Sequence, residues 1–236
     1  MQEILSRTRA ALDKYNMISE GDTVAVGVSG GKDSVLLLAA LARLSRFYPK
    51  KFNIKAITAD PRFGGADTDY SEIEKLCETL KVEYIIRRTS LGEIIFSQRK
   101  EKNPCSLCAR MRRGILHDTA KENGCNKIAF GHHLDDAVET FFMNLINGGS
   151  ISCFSPVTYL SNKDITLIRP FVLVEERVIQ NACVRLKLPA VKSRCPADGA
   201  TNRQRTKEFI ENLGKTQPDI KQKIIGAMQR SGISGW

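Results

Sequence analysis

Three short segments of this 236-residue sequence gather residue types that handle phosphates, metals or nucleophiles. The first is Ser29-Gly30-Gly31-Lys32-Asp33-Ser34. Its two glycines let a backbone approach phosphate oxygens with no Cβ in the way, Ser29 and Ser34 can donate hydroxyl hydrogen bonds, and Lys32 brings a positive charge. Two better-known phosphate motifs fail on spacing. A Walker loop ending at Gly31-Lys32 needs glycine at 26 and Ser or Thr at 33, where Val26 and Asp33 stand, and no G-x-G-x-x-G occurs. The second segment runs Gly131-His132-His133-Leu134-Asp135-Asp136-Ala137-Val138-Glu139-Thr140. On a helix Asp136 and Thr140 share one face and Asp135 and Glu139 another. Such carboxylates could hold Mg²⁺ through nucleotide phosphates or orient a nucleotide; the plainer reading makes Asp135 a helix cap and the histidines surface residues. The third is Cys105-Ser106-Leu107-Cys108 with a distant Cys195, which suits a zinc half-site, a dithiol redox pair or part of an iron–sulfur site.

These segments need a frame that brings them to one place, and the pattern around them supplies one. Residues 23–28 form an apolar, β-branched run that reads as a buried strand, the glycine loop follows at once, and the Leu/Ala-rich 35–44 reads as a helix. The alternation continues with strands at 54–58, 82–86 and 127–130 and helices at 70–80, 107–121 and 135–146. Strands alternating with helices predict a doubly wound, mostly parallel α/β sheet with its ligand crevice at the carboxyl ends of the strands. A helix with apolar positions from Ile4 to Ile18, ending near residue 20, precedes the sheet. Residues 150–164 read as a polar connection, 167–169 as a last strand, 175–186 as a helix, and the chain from about 202 as a basic helical tail. The expected organisation is an N-terminal helix over 1–20, an α/β domain over 21–170 and a helical region over 171–236 that carries Cys195.

Composition bounds the partners. Hydrophobic residues make up 42% of the chain, enough for a folded core, and the longest apolar run, residues 35–42, is far short of the roughly 18 residues a membrane span needs. There are seven cysteines, an odd number, and the first residues carry Glu3, Arg7, Arg9 and Asp13 where a secretory leader would be apolar, so a reducing, cytoplasmic setting is expected. There a cysteine cluster points to a metal or catalytic site; Cys77, Cys125 and Cys183 read as small core residues. With 36 Lys and Arg against 26 Asp and Glu, the net charge of +10 favours a polyanionic partner. Basic residues flank the thiols: Arg99, Lys100 and Lys102, then Arg110, Arg112 and Arg113, then Lys192 and Arg194, then Arg203, Arg205 and Lys207. Neutralising phosphates with them would give salt-sensitive RNA binding.

The sequence SGGKDS between strand and helix resembles the PP-loop ATP pyrophosphatase superfamily, whose members cleave ATP to AMP and pyrophosphate while adenylating a carbonyl oxygen. The segment GHHLDD…ET resembles the second signature of PP-loop tRNA-modifying enzymes, and residues 105–136 are similar almost position for position to the tRNA 2-thiocytidine synthetase family, a likeness running from about Asp22 into the C-terminal helices. This resemblance implies ATP held by Val28, Ser29, Gly30, Gly31, Lys32, Asp33 and Ser34, with Asp60, Gly131 and Asp136 around the nucleotide. It implies roles in catalysis for Lys32 on phosphate charge, Asp136 on metal or nucleotide, and Arg112 beside substrate or sulfur. It further implies a [4Fe-4S] cluster on Cys105, Cys108 and Cys195, with one iron left without a protein ligand, and tRNA contacts from Arg110, Arg113, Arg194, Arg203 and Arg205.

The expected reaction is ATP-dependent adenylation of the C2 oxygen of a cytidine in tRNA and its replacement by sulfur from a cysteine desulfurase or another sulfur donor, in a homodimer with no membrane partner. The family's commoner form has a second C-x-x-C at the third ligand; here Cys195 is followed by Pro196, Ala197 and Asp198, which leaves three thiolates, with Asp198 and Cys153 as candidate extra ligands. The zinc-ribbon cysteines of related thiouridine enzymes are missing. Two rival functions remain open at this level: lysidine synthetase chemistry, with the same adenylation and a lysine nucleophile, and a zinc- or cluster-containing RNA-binding module without catalysis.

Overall fold

A computed structural model describes residues 1–98, 104–191, 194–195 and 202–236. Arg99, Lys100, Lys102, Lys192 and Asp198 lie outside the described residues. Six strands, β1 (Asp22–Gly27), β2 (Phe52–Asp60), β3 (Glu83–Arg88), β4 (Lys127–Ala129), β5 (Val157–Leu160) and β6 (Ile165–Ile168), form one sheet in the order β3-β2-β1-β4-β6-β5. All neighbours are parallel except β5, which runs antiparallel to β6 at the edge. The doubly wound α/β expectation is met, with that one antiparallel strand added.

Nine helices accompany the strands among the described residues: α1 (Gln2–Lys14), α2 (Lys32–Leu44), α3 (Ser71–Leu80), α4 (Leu91–Glu93, continuing as a π-helical turn Ile94–Gln98), α5 (Pro104–Glu122), α6 (Leu134–Gly148), α7 (Glu176–Leu186), α8 (Asn202–Thr216) and α9 (Ile220–Ser231). The larger core packs α1, α2, α3 and α7 on one face of the sheet, with Leu36, Leu37, Leu38 and Leu41 fully buried because α2 is apolar almost all round. A smaller core on the other face joins Ala25, Ile57, Ile128 and Phe130 to α5 through Ala120 and Leu116. A third cluster sets Cys108 among Leu91, Ile95, Phe63 and Phe96, beneath α4 and the start of α5.

Three elements differ from the reading of the sequence. The first helix stops at Lys14 because Asn16 takes a φ of +48°, and Met17 and Ile18 go on into the core as buried loop residues. The apolar spacing therefore outruns the helix. The stretch 150–164 contains β5; on its edge Tyr159 is exposed and the other three residues half-exposed, so they lack the apolar run that marks a central strand. The π-helical turn at Ile94–Gln98 follows a segment pinned by Gly92, where a Cβ would stand 2.9 Å from the Pro61 carbonyl oxygen.

Strand order sets where a ligand can sit. The chain passes from β1 outward to β2 and β3 and then returns to place β4 on the other side of β1, so a crevice opens at the carboxyl ends of β1 and β4. Val26 pairs with Ala129 across that step. Far from the crevice, at the opposite end of β1 and β4, Lys127 and Asp22 form a buried ion pair of 2.7 Å, and Lys127 Nζ also donates to the Met17 carbonyl at 2.9 Å.

Candidate active site at the carboxyl ends of the sheet

The segment leaving β1 turns at Gly30, whose φ of +90° suits glycine, and α2 starts at Lys32 with Gly31 as its cap residue. The loop ties itself together through serines. The Ser29 amide donates to Ser34 Oγ at 3.1 Å, the Gly31 amide to Ser29 Oγ at 3.3 Å, and Ser34 Oγ donates to the Gly31 carbonyl at 2.9 Å. Val191 braces the loop from outside, its amide donating to the Gly30 carbonyl at 2.9 Å. Close approach also explains two glycines: a Cβ on Gly27 would lie 2.6 Å from the Phe130 ring, and one on Gly131 only 3.1 Å from the Asp33 carbonyl carbon. The phosphate loop and the loop after β4 are thus pressed together at the head of a helix, where free amides favour anions.

On the other side of the crevice, His133 caps α6. Its Nδ1 accepts from the Asp136 amide at 3.3 Å while Asp136 Oδ2 accepts from the His133 amide at 3.0 Å. The cap is therefore His133 and not Asp135, and His133 is buried, not a surface residue. Asp135 is buried and faces the C-terminal helices, its Oδ2 accepting from the Glu176 amide at 2.6 Å and its Oδ1 pairing with Lys221 at 2.6 Å. Asp136 Oδ1 accepts from Arg203 at 2.9 Å, and the same guanidinium reaches Thr140 Oγ1 at 3.3 Å and Glu139 at 3.6 Å. Burial pushes the Glu139 carboxyl up to about 7, with Arg203 pulling against it and Asp136 adding to it.

A cleft of ≈ 480 Å³ joins these pieces. Val28, Ser29, Asp33 and Ser34 line it from the phosphate loop, Gly131, His132 and Asp136 from the start of α6, and Arg112 and Arg113 from α5. Other expected residues stand differently. Gly30 is turned against Val191, and Lys32 pairs with Asp33 and Glu176, each at 3.2 Å. Asp60 is fully buried at the end of β2, where its carboxylate accepts from the Arg62 amide at 3.1 Å and from the Thr68 amide and hydroxyl at 3.0 Å. It shapes the loop beside the cleft, whose wall there is Ala59.

The cysteine pair opens α5. Cys105 is exposed, Cys108 is buried and Cys195 is half-buried. Burial pushes the Cys108 thiol up, Arg112 pulls it down, and Cys195 and Cys105 raise it further. Among the described residues no three His, Cys, Asp or Glu groups are gathered so that they could hold a metal ion. A four-iron cluster makes a different demand, since it takes its thiolates at separate corners and not at one point. The donor set, Cys105 and Cys108 at the start of α5 with Cys195 acting on Cys108, has the thiolate chemistry that such a cluster takes. Cys153 does not belong with them: its thiol donates to the Ala137 carbonyl at 3.4 Å, and burial pushes it up to about 11.

Helix α5 links thiols and cleft. Ala109, Arg112, Arg113 and Leu116 line the cleft at the spacing of one helical face, and Cys108 lies one turn before Arg112, about 6 Å along the axis at 1.5 Å per residue. The remaining expected RNA contacts scatter. Arg110 and Arg205 are exposed, Arg194 reaches the Asp67 carbonyl at 3.4 Å, and Arg203 is turned onto Asp136.

A PP-loop domain family matches residues 3–212. The tRNA-cytidine(32) 2-sulfurtransferase of Syntrophotalea carbinolica is 38% identical over 230 residues, covering 96% of this chain and 88% of the relative. This chain belongs to the PP-loop tRNA-cytidine(32) 2-sulfurtransferase family. The namesake protein of Dechloromonas aromatica is 37% identical, with 94% of this chain and 78% of the relative covered. Among solved structures, the U34-tRNA thiolase NcsA from Methanococcus maripaludis with its [4Fe-4S] cluster superposes with a TM-score of 0.80 at 27% identity, over 97% of this chain and 77% of that one. Family membership agrees with the resemblance drawn from the motifs.

Motifs alone do not reveal several residues of this PP-loop chain's site. Glu176, Lys207 and Lys221 are far from the motifs in sequence and meet them only through folding of the C-terminal helices. His132 reads in the sequence only as half of a histidine pair. It lines the cleft between Phe130 and Phe154, and burial, followed by the charge of Arg169, pushes it down to about 4, which makes it a neutral imidazole at pH 7. The strand at Ile165–Ile168 is the available signal for Arg169, since the residue that ends a central strand points to the same edge as the site.

Proposed function

We propose that this chain is an ATP-dependent tRNA thiolation enzyme that exchanges the C2 oxygen of a cytidine for sulfur. The observation that carries the reading is the shared wall of α5: the helix that begins with Cys105 and Cys108 lines, one to two turns later, the same cleft as the phosphate loop. Activation and sulfur delivery then occur at neighbouring points along one rigid element.

ATP binds with its phosphates at the start of α2, whose first amides have no partner within the helix, on a loop that the hydrogen bonds among Ser29, Gly31 and Ser34 preorganise. Lys32, at the mouth of that loop, adds positive charge for the departing pyrophosphate. A cytidine turned out of its stack presents its C2 oxygen to the α-phosphorus; that O–P bond forms as the bond to pyrophosphate breaks. Sulfide sulfur then attacks C2 and AMP leaves with the former C2 oxygen. His132 stays neutral and shields the reacting atoms between Phe130 and Phe154. Arg112, between Cys108 and the cleft, offsets negative charge on the incoming sulfur. Asp136 orients the nucleotide through Arg203 or holds Mg²⁺ on its phosphates. Cys105, Cys108 and Cys195 are the residues that would hold a [4Fe-4S] cluster, which supplies an iron with an open position for the transferred sulfur. The exposed Arg110, Arg113 and Arg205 provide phosphate contacts for tRNA, and a cysteine desulfurase or another donor supplies the sulfur in a reducing cytoplasm.

The test is anaerobic incubation with ATP, sulfide and unmodified tRNA, followed by assay of AMP and pyrophosphate and mass analysis of the digested nucleosides. The expected result is tRNA-dependent AMP with a matching yield of 2-thiocytidine. Modification that consumes lysine in place of sulfide, or RNA binding with no AMP, overturns the proposal in favour of one of its two rivals.

A further inference from the structure

Glu176, the first residue of α7, lies 144 residues from Lys32 and belongs to none of the motifs. Its Oε1 accepts from Lys32 Nζ at 3.2 Å and from Gln180 Nε2 at 3.1 Å, while its Oε2 accepts from Lys207 Nζ at 2.7 Å. Its amide is bound to Asp135, which in turn holds Lys221 of α9. Glu176, Gln180, Lys207, Asp135 and Lys221 line a second, charged crevice of ≈ 240 Å³ between α6, α7, α8 and α9. One carboxylate thus carries two ammonium groups, one from the phosphate loop and one from α8. Burial works against the charged carboxylate, yet Lys207 and Lys32 outweigh it and hold Glu176 at about 2.

Lys207 lies one helical turn beyond Arg203, and Arg203 reaches Asp136 and Thr140 at the head of α6. The grip on Lys207 is therefore also the grip that keeps Arg203 over the cleft. We infer that Glu176 is a positioning residue that couples the phosphate loop to helix α8, aiming Lys32 and fixing Arg203 through Lys207 at the same time. The inference rests on the reading that the loop holds ATP.

Its physical content is specific. A carboxylate beside the phosphate loop repels the phosphates, so it does not serve ATP affinity; it serves the geometry of two cations. Replacing it with glutamine keeps the shape, removes the repulsion and leaves two lysines with no shared counter-charge, so Lys32 loses its direction and α8 loosens. Binding and turnover then change in opposite senses, which damage to the fold does not produce.

The experiment measures equilibrium ATP binding and tRNA-dependent AMP formation for wild type, Glu176→Gln, Lys207→Met and the double variant, with thermal unfolding as a check on folding. Expected are ATP affinities equal to or tighter than wild type in Glu176→Gln, a fall of tenfold or more in kcat for either single variant, and no further fall in the double. A parallel loss of affinity and turnover, activity within threefold of wild type, or multiplied losses in the double variant would overturn the inference. Should Glu176→Gln fail to fold, Lys207→Met carries the test, since a kcat within threefold of wild type there refutes the coupling. Wild type that makes no tRNA-dependent AMP refutes the proposed function itself, a result distinct from all of these.

Discussion

Gly30→Ala tests the link between the phosphate loop and the segment leading to Cys195. Gly30 has a φ of +90°, and a Cβ there would sit 2.8 Å from Val191 Cβ and 3.4 Å from its Cγ2. Two costs arise. Holding alanine in a left-handed backbone region costs about 1–2 kcal/mol, and forcing a methyl into a packed contact costs about 1–3 kcal/mol. Together they come to about 2–5 kcal/mol, and at about 2–4 °C per kcal/mol for a chain of this size the melting temperature should fall by about 4–20 °C. The clash is with a side chain whose own amide donates to the Gly30 carbonyl at 2.9 Å, so the methyl also presses apart the bond that braces the loop. Thermal and urea unfolding of Gly30→Ala, Val191→Gly, which takes away the clashing Cβ, and the double variant separates the two costs. Removing the Val191 Cβ should restore the packing part, about 1–3 kcal/mol, and leave the backbone part. ATP affinity should fall in Gly30→Ala and recover partly in the double. A loss below about 1 kcal/mol, or a double variant as unstable as the sum of the singles, would show that Gly30 and Val191 do not bear on each other as the geometry requires.

Three further outcomes follow from the same contacts. Glu176 is held at about 2 against an ordinary 4.5, a depressed carboxylate whose stabilising contribution, about 3 kcal/mol, is present above pH 4.5 and is lost as pH falls toward 2. The urea-unfolding gap between wild type and Glu176→Gln should therefore narrow from pH 7 to pH 3, and a constant gap would contradict the ion pairs. Lys127→Met removes one partner of the buried Asp22 pair and should cost about 3–5 kcal/mol, much of which Asp22→Asn in the same chain should recover; denaturant midpoints at constant slope report both. Anaerobically purified wild type should contain about four irons per chain with visible absorption, Cys105→Ala, Cys108→Ala and Cys195→Ala should lose both, and Cys153→Ala and Cys183→Ala should keep them. A colourless wild type with one tightly bound zinc would replace the cluster.

The chain pattern is legible where local chemistry decides structure and silent where distant partners do. Strand β1, its glycine loop and α2 follow from an apolar run, a turn and a Leu/Ala helix that are contiguous in sequence, and their order alone places Ser29 and Asp136 at the same edge of the sheet. The cap of α6 is harder, because Asp135 has the better capping side chain; Asp135 is instead drawn to the Glu176 amide and Lys221, and that leaves the role to His133. The positive charge shows the same division. Read along the sequence, the surplus looks like one RNA-facing property, yet Lys32, Lys207 and Lys221 are engaged by Glu176 and Asp135, Arg203 by Asp136, and Lys127 by Asp22. The first four are held by carboxylates at the carboxyl ends of the sheet, and Lys127 is held at the opposite end. Among the described residues Arg110 and Arg113 along α5 and Arg205 at the start of α8 are exposed, and we propose that they meet phosphates, so salt sensitivity of tRNA binding should respond to those three and not to the paired lysines.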